Sequence, residues 1–141
     1  MILPDVNVLL YAFRRDAAQH DTCRAWLEAV VNGEAASGLS PQVLASVVRI
    51  ATRRRSYVHP STTAETLAFC EAMLQPPQCA VVQPGPRHWG IFTDLCRKSR
   101  ATGTLVQDAW LAALAIESGC AWVTTDRAYA RLPGLRWREP F

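Results

Sequence analysis

The stretch MILPDVNVLL, residues 1–10, places two polar side chains, Asp5 and Asn7, inside a run that is otherwise apolar. Residues 2–4 predict a short buried strand, and the apolar run that continues from Val8 is typical of a helix. Asp5 therefore stands at the carboxyl end of a strand, where a buried carboxylate without partners would cost several kcal/mol. That cost indicates that the side chain either caps the following helix or serves a function.

Strand and helix patterns alternate along the rest of the chain. Ser40–Pro41 and the capping box of Thr62 and Glu65 are the clearest helix starts. Further strands are predicted at residues 35–39, 79–82, 120–125 and 135–137, and helices at residues 17–31, 41–55, 65–74, 85–100 and 105–119. The alternation predicts an α/β fold with a mostly parallel sheet of about five strands and helices on both faces. Sites in such folds form at the carboxyl ends of the strands.

Length and composition are typical of one soluble globular domain. The 141 residues are half hydrophobic and 19% charged, which argues against disorder. No apolar run is long enough to span a membrane, and the first residues lack the basic start of a secretory signal. We therefore expect a single cytoplasmic domain at residues 1–141, with no membrane partner. The five cysteines form no CxxC pair, so free thiols are expected rather than a zinc site or a disulfide framework.

Three aspartates occupy positions that structure alone explains poorly. Asp5 follows the first strand, and Asp126 closes the strand WVTT. Asp108 lies in line with apolar residues three, four and seven positions later, on the buried face of its helix. Each has a structural alternative: a helix cap for Asp5, a first-turn residue that complements the helix dipole for Asp108, and a turn former for Asp126. Their joint occurrence at converging positions favours a site.

Converging carboxylates repel one another unless a cation neutralises them. Oxygen-only ligands favour Mg²⁺ or Mn²⁺ over zinc. The chemistry that such an ion serves is the attack of water on a phosphodiester. Asn7 is suited to orient Asp5 or a metal-bound water through its amide, and Thr124 and Thr125 are suited to the same role beside Asp126.

Four segments of the chain together resemble the PIN-domain ribonucleases and, within them, the VapC-type toxins of bacterial toxin–antitoxin pairs. They are ILPDVNVLLYAF, SPQVLASVVRIATRRR, GTLVQDAWLAALAIESG and VTTDRAYARLPGLRW. The segments come in the family's order and run from the first residues almost to the last. The resemblance therefore covers essentially the whole chain.

The resemblance implies a three-layer α/β/α fold, a Mg²⁺ site in which Mn²⁺ can substitute, and endonucleolytic cleavage of structured RNA such as a tRNA or rRNA loop. It implies Asp5, Asp108 and Asp126 as the catalytic and metal-binding residues, with Asn7 and Thr125 as accessory polar residues. It also implies a cognate VapB-type antitoxin, a homodimer, and growth arrest through damage to translation RNAs.

The chain departs from the family's pattern at two positions. Where the family commonly carries a glutamate on the helix after the second strand, this sequence has Ser46, which is kept as an accessory polar candidate. Where a further acid often follows the last aspartate by two residues, it has Ala128. Both changes lower the negative charge of the site, so either metal affinity is weaker or another ligand, such as water, the substrate or Asp94, replaces the missing acid.

The arginines are the other candidate functional residues. All but one of the 15 basic residues are arginine, although the net charge is only +3. Arg53, Arg54 and Arg55 are predicted to end a helix, where they either are solvated cations favoured by the helix dipole or contact RNA phosphates. Arg49, one turn earlier, is expected to form a structural or antitoxin-facing ion pair.

Competing functions fit the sequence less well. An aspartyl phosphatase needs the pattern DxDx[TV], but Asn7 stands in place of the second acid and is followed by Val8 at the fourth position, so the general acid is missing. A phospho-acceptor receiver domain needs paired acids near the start and a late lysine, and the chain's one lysine is Lys98. The stronger alternative is a catalytically weakened PIN-like domain that only binds RNA or a partner protein.

Overall fold

In the computed structural model, which describes residues 1–141, five short strands form one sheet. They are β1 (Ile2–Pro4), β2 (Ser37–Leu39), β3 (Cys79–Val81), β4 (Ala121–Val123) and β5 (Trp137–Arg138). Their order across the sheet is β3-β2-β1-β4-β5, and every neighbouring pair is parallel. The sequence predicts a mostly parallel sheet of about five strands, and the sheet is wholly parallel.

Six helices and one short 3₁₀ helix complete the α/β fold. The helices are α1 (Val6–Phe13), α2 (His20–Asn32), α3 (Pro41–Ala51), α4 (Thr63–Leu74), α5 (His88–Ser99) and α6 (Thr104–Ser118), and the 3₁₀ helix is Arg127–Arg131. α1 packs against α2 and α3, α3 packs against α4, and α5 packs against α6. The sheet and these helices enclose one continuous core of apolar side chains, in which Leu3, Leu9, Val47 and Trp122 are fully buried. None of the helices combines the length and the hydrophobicity that crossing a membrane requires. All five cysteines are free thiols, as the sequence predicts.

Capping fixes several helix ends where the sequence predicts them. Thr62 and Glu65 form both hydrogen bonds of a capping box, at 3.1 and 2.8 Å, at the start of α4. The hydroxyl of Ser40 accepts a hydrogen bond from the backbone N–H of Val43 at the start of α3. Gly119 ends α6 with a φ of 71°, a left-handed conformation that glycine adopts without strain.

Other helix boundaries differ from the prediction because local hydrogen bonds compete with the helix. α1 begins two residues before Val8, because Asp5 caps it. α2 begins at His20 rather than at residue 17, since a tight turn occupies residues 14–20. α5 begins at His88 rather than at residue 85, because the carboxylate of Glu117 accepts hydrogen bonds from the backbone N–H groups of Gly85 and Arg87. The 3₁₀ helix is not anticipated by the periodicity of the sequence.

A buried arginine fixes the segment between α3 and α4. Arg14 donates two hydrogen bonds to the carboxylate of Asp16, at 3.0 and 2.6 Å, and one each to the carbonyl of His59 and the hydroxyl of Ser61. Its guanidinium also lies 3.7 Å from the centre of the Tyr57 ring. Arg14 is only 8% exposed, and a buried charge is tolerated only when it is paired and hydrogen-bonded. These contacts supply that pairing.

The parallel pairing of β1 with β4 sets the position of the polar residues that follow them. Pro4 is in register with Val123, and the backbone N–H of Asp5 donates to the carbonyl of Val123 at 2.8 Å. Asp5 and Thr124, the next residues along the two strands, therefore lie side by side at the carboxyl edge of the sheet, where a parallel α/β fold forms its sites.

Candidate active site

Asp5, Asp108 and Asp126 line one open cleft of about 330 Å³ at the carboxyl edge of the sheet. Asp5 follows β1, Asp126 lies three residues beyond β4, and Asp108 projects from α6. The cleft wall also contains Asn7 from α1 and Ser46 from α3. Residues that are up to 121 positions apart in the sequence thus meet at the place where the sequence expects a cation site.

Asp5 is the buried member of this group, with 5% of its surface exposed. One carboxylate oxygen accepts the backbone N–H of Val6 at 2.7 Å, so Asp5 is the N-cap of α1. The other accepts the hydroxyl of Thr124 at 2.7 Å and the amide of Asn7 at 3.2 Å. The pKa of Asp5 is raised to about 6, chiefly by burial and also by the charges of Asp108 and Asp126, while the hydrogen bonds from Thr124 and Val6 oppose the rise. The predicted helix cap is therefore confirmed, and the same carboxylate lines the cleft.

Thr124, rather than the predicted accessory residue Thr125, contributes the hydroxyl that bonds to the site residues. Its fully buried hydroxyl donates to Asp5 and accepts hydrogen bonds from the amide of Asn7, at 3.2 Å, and from the backbone N–H of Asp126, at 3.0 Å. The donor and both lone pairs of the hydroxyl are thus used. Thr125 takes part only through its backbone N–H, which donates to Asn7 at 3.2 Å. The accessory hydroxyl next to the aspartates is therefore that of Thr124, because it points inward from the end of β4.

Asp108 is half-buried in the second turn of α6, so the interpretation as a first-turn residue is wrong. Burial raises its pKa, the charge of Asp126 raises it further, and a hydrogen bond from Tyr129 opposes the rise. Tyr129 is itself buried and lies in the 3₁₀ helix, where the desolvation of its ring raises the pKa of its hydroxyl. The sequence offered no signal for Tyr129, because a tyrosine in an irregular segment has no periodic pattern.

Asp126 is the exposed member of the group. Its carboxylate accepts the backbone N–H of Ala128 at 2.9 Å and so caps the 3₁₀ helix, as its interpretation as a turn former implies. Only one of its oxygens is used in this way, which leaves the other free toward the cleft. The aspartate thus combines a local structural role with a place in the cleft wall.

The donor set of the cleft suits a hard cation. Its potential ligands are carboxylates, amides and hydroxyls, with no thiol or imidazole. The pKa values of Asp5 and Asp108 are raised chiefly by burial and further by neighbouring carboxylates, and a bound cation would favour the ionised form of both. No three acidic, histidine or cysteine side chains converge closely enough to hold an ion by themselves. The residues fit Mg²⁺ only as a ligand set completed by water or by a substrate phosphate, which is the usual coordination of this ion.

Ser46 and Arg49 face the same cleft from one side of α3. Ser46 lies where the family's glutamate is expected, and its hydroxyl is the only polar group that it contributes. Of the two ion pairs predicted for Arg49, the structural one is absent, because Arg49 pairs with no carboxylate of the chain, and the antitoxin-facing one stays a prediction. The only other acid considered as a replacement ligand, Asp94, is paired with Lys98 at 2.9 Å on α5 and is not part of the cleft.

The three consecutive arginines lie outside α3 and outside the cleft wall. α3 ends at Ala51 with Thr52 as its C-cap, so the prediction that Arg53, Arg54 and Arg55 end the helix is wrong. The hydroxyl of Thr52 bonds back to the carbonyl of Val48 at 2.8 Å, and a turn follows in which Arg53 donates to Ser56 at 2.7 Å. Arg54 and Arg55 are exposed in that turn.

Comparison with known proteins agrees with the fold. The family model described as "PIN domain" matches residues 2–135. The ribonuclease VapC43 of Mycobacterium tuberculosis is 39% identical over 140 residues, which cover 99% of this chain and 95% of that protein. The ribonuclease VapC31 of the same organism is 40% identical over 140 residues, which cover 99% of each.

Solved structures show the same fold at low sequence identity. A chain of VapBC2 from Rickettsia felis bound to a DNA fragment from their promoter matches with a TM-score of 0.72 at 16% identity, over 99% of this chain and 98% of that one. A chain of DNA-bound VapBC from Salmonella typhimurium matches with a TM-score of 0.68 at 18% identity, over the whole of both. With the family match over almost its entire length and relatives near 40% identity, the chain belongs to the PIN-domain family and, within it, to the VapC ribonucleases.

Proposed function

We propose that the protein is a Mg²⁺-dependent endoribonuclease, with Mn²⁺ able to substitute, that cleaves a structured translation RNA such as a tRNA or rRNA loop. The observation that carries the proposal is the open cleft lined by Asp5, Asp108 and Asp126. The raised pKa values of Asp5 and Asp108 support it, because strongly perturbed carboxylates that share a cleft are typical of functional sites.

Each aspartate has a distinct part in this proposal. Asp5, held by Thr124 and Asn7, is the fixed anchor of the cation, whereas Asp108 and Asp126 face the open side where RNA enters. When bound, the divalent ion supplies the positive charge that stabilises a phosphodiester under attack by water. The hydrogen bond from Thr124 keeps a proton off Asp5 near neutral pH, so that its carboxylate is ready to bind a cation.

The relatives support RNA as the substrate, because both are named ribonucleases and align with this chain over nearly its full length. The open shape of the cleft supports a phosphodiester in a single-stranded or looped segment, because residues of α1, α3 and α6 line it and Asp126 is exposed at its wall. The substrate RNAs lie in the cytoplasm, where we place the activity.

We further propose that the protein is a toxin of the VapBC type, acts as a homodimer and is neutralised by a small VapB-type antitoxin. The Rickettsia felis and Salmonella typhimurium structures with the same fold are of VapBC2 and VapBC bound to DNA. A cationic side chain of the antitoxin that reaches Asp5 and Asp108 would compete with the metal ion, because both would bind the same negatively charged carboxylates. Purification from the native host should recover a small second protein, and recovery of the homodimer alone would contradict this part of the proposal.

Incubation of the pure protein with total cellular RNA tests the activity. We expect cleavage with Mg²⁺ or Mn²⁺, none with excess EDTA, and a small set of defined ends when the fragments are mapped. Fragments that form equally in EDTA would indicate a contaminating ribonuclease. Absence of cleavage with either ion would contradict the proposal.

A catalytically weakened domain that only binds RNA or a partner is the second candidate. Ser46 and Ala128 favour it, because each replaces an acid, and the three aspartates alone do not enclose an ion. This candidate predicts RNA binding without cleavage at any concentration of Mg²⁺ or Mn²⁺, in the same assay.

A further inference from the structure

Arg49 is the only positively charged side chain in the wall of the aspartate cleft. It lies on the last turn of α3 and is exposed. The ion pairs of the chain are Arg14–Asp16, Arg24–Glu28, Lys98–Asp94 and Arg127–Glu139, so Arg49 is left without a carboxylate partner. A cation that shares a cleft with three aspartates and pairs with none of them is available to another anion.

Arg49 lies on α3 one turn after Ser46, the residue that stands where the family commonly has a glutamate. Ser46 and Arg49 are three residues apart, which brings their side chains to the same face of the helix one turn from each other. Leu10 and Ile50 belong to the same cleft wall and give an arginine stem apolar surface to lie on. At this position the family commonly has a negatively charged glutamate, whereas this chain has the neutral hydroxyl of Ser46 one helical turn from the positive charge of Arg49.

The charge balance of the cleft indicates what that anion is. Three aspartates repel an incoming phosphodiester, so bound divalent cation has to offset the charges of both the carboxylates and the RNA. Arginine binds phosphate with two parallel hydrogen bonds and keeps its charge at any physiological pH. Because Arg49 is not paired with a carboxylate of the protein, its guanidinium is available to bind a phosphate of the RNA backbone.

We propose that Arg49 binds a backbone phosphate of the RNA next to the one that is cleaved, and so positions the strand across the cleft. The inference rests on the proposed ribonuclease function and deepens it. Arg49 acts on the position of the strand and on affinity, and the attack on the phosphodiester remains with the aspartates and their cation. The alternative role is an ion pair with an acidic residue of a protein partner, which the experiment distinguishes.

Salt-dependent RNA binding without metal tests the proposal directly. Fluorescence anisotropy measures the affinity for two labelled 12-nucleotide RNAs, one of uridine and one of adenosine, in EDTA and over a series of salt concentrations. Loss of one phosphate contact is expected to lower the slope of log affinity against log salt by about 0.7 for single-stranded RNA. We expect this drop for Arg49→Ala, with an affinity about tenfold lower at low salt for both RNAs.

Two further variants separate the phosphate contact from a structural effect. Arg49→Lys should keep the slope of the wild type and regain part of the affinity, because it keeps the charge but not the two-pronged geometry. Arg97→Ala removes another exposed arginine, on α5, that has no ion pair and does not line the cleft, so it should match the wild type. Thermal unfolding of all variants checks that none has lost its fold.

An unchanged slope and affinity in Arg49→Ala would overturn the inference, as would an equal loss in Arg97→Ala. If the wild type cleaves total RNA while Arg49→Ala keeps both values, only this inference fails and the proposed function stands. If Arg49→Ala binds RNA normally but no longer binds the co-purified antitoxin, the partner role is correct and the phosphate role is wrong. A wild type that neither binds these RNAs at low salt nor cleaves total RNA overturns both proposals.

Discussion

The hydroxyl of Thr124 donates a 2.7 Å hydrogen bond to the carboxylate of Asp5, and so joins two residues that lie 119 positions apart. The bond ties the end of β4 to the end of β1 and is fully buried. It also explains how a carboxylate that is 5% exposed is tolerated in the core, because the same oxygen is further bonded by Asn7. The hydrogen bonds from Thr124 and Asn7 therefore fix the position of the Asp5 carboxylate.

Replacing Thr124 with valine should destabilise the protein and disturb the site while leaving the volume of the side chain unchanged. The variant removes the donor to Asp5 and leaves the backbone N–H of Asp126 without its acceptor, which together should cost about 1–3 kcal/mol in the free energy of unfolding. Because the Thr124 hydrogen bond lowers the pKa of Asp5, its loss should also shift the acidic limb of the cleavage pH profile upward. Urea unfolding and the rate–pH profile measure these two effects.

Thr124→Ser is the matched control, since it keeps the hydroxyl and removes only a methyl group. It should retain the pH profile of the wild type. If valine and serine at this position give the same profile, the hydrogen bond to Asp5 has no part in the site. Thr125→Val should have little effect, because Thr125 contributes only its backbone N–H.

The stability of the metal-free protein should fall as the pH rises through about 6. The pKa of Asp5 is raised from 3.8 to about 6 in the folded protein, so the folded state holds this proton more tightly than the unfolded state does. The corresponding stabilisation is present below about pH 4 and is lost between pH 4 and 6, and it amounts to about 3 kcal/mol. The raised pKa of Asp108 adds a change of the same sign.

Unfolding in EDTA at a series of pH values tests this, with Asp5→Asn as the comparison. The free energy of unfolding of the variant should decrease much less between pH 4 and 6, whatever its absolute value, because asparagine does not titrate. Added Mg²⁺ should restore stability above pH 6 in the wild type, since a cation favours the ionised carboxylates. A wild type whose stability rises from pH 5 to 7 in EDTA, in parallel with the variant, would contradict the raised pKa.

Restoring an acid at Ser46 should tighten metal binding. Ser46 lines the aspartate cleft, so a glutamate there would add a fourth carboxylate to a set that does not enclose an ion by itself. Calorimetric titration with Mn²⁺ should show a lower Kd for Ser46→Glu than for the wild type. Ser46→Ala should reduce cleavage far less than a change of any of the three aspartates, because it removes at most one hydrogen bond, worth about 0.5–1.5 kcal/mol. Equal Mn²⁺ affinity in wild type and Ser46→Glu would show that a side chain at this position does not reach the ion.

The sequence predicts the frame of this molecule well, because hydrophobic periodicity and capping residues act locally. The strand before Asp5, the capping box of Thr62 and Glu65, and the end of α6 at Gly119 follow from residues within one or two turns of each other. Asp108 could be identified as a site candidate for the same reason, because a carboxylate among the apolar residues of one helix face is a local departure from the pattern. The parallel pairing then brings these features to one edge of the sheet.

What the sequence did not predict depends on contacts between distant segments. The choice of Thr124 over Thr125 follows from the register of β4 against β1, which only the folded sheet defines. The late start of α5 results from Glu117, which lies 30 residues beyond Arg87. The sequence leaves open whether Arg49 pairs with a carboxylate of the chain or of the antitoxin. Its position in the cleft depends on the packing of α3 against α1.

The central claim is that Asp5, Asp108 and Asp126 together form a cation-dependent ribonuclease site. Its most direct test is the Mg²⁺-dependent rate of RNA cleavage by the three single Asp→Asn variants, each checked for folding by circular dichroism. Asp94→Asn is the matched control, because it removes an aspartate that pairs with Lys98 on the surface, outside the cleft. We expect each cleft variant to lose at least about 100-fold in rate, and the control to cleave like the wild type. Near-normal cleavage by any two of the three cleft variants would contradict the claim.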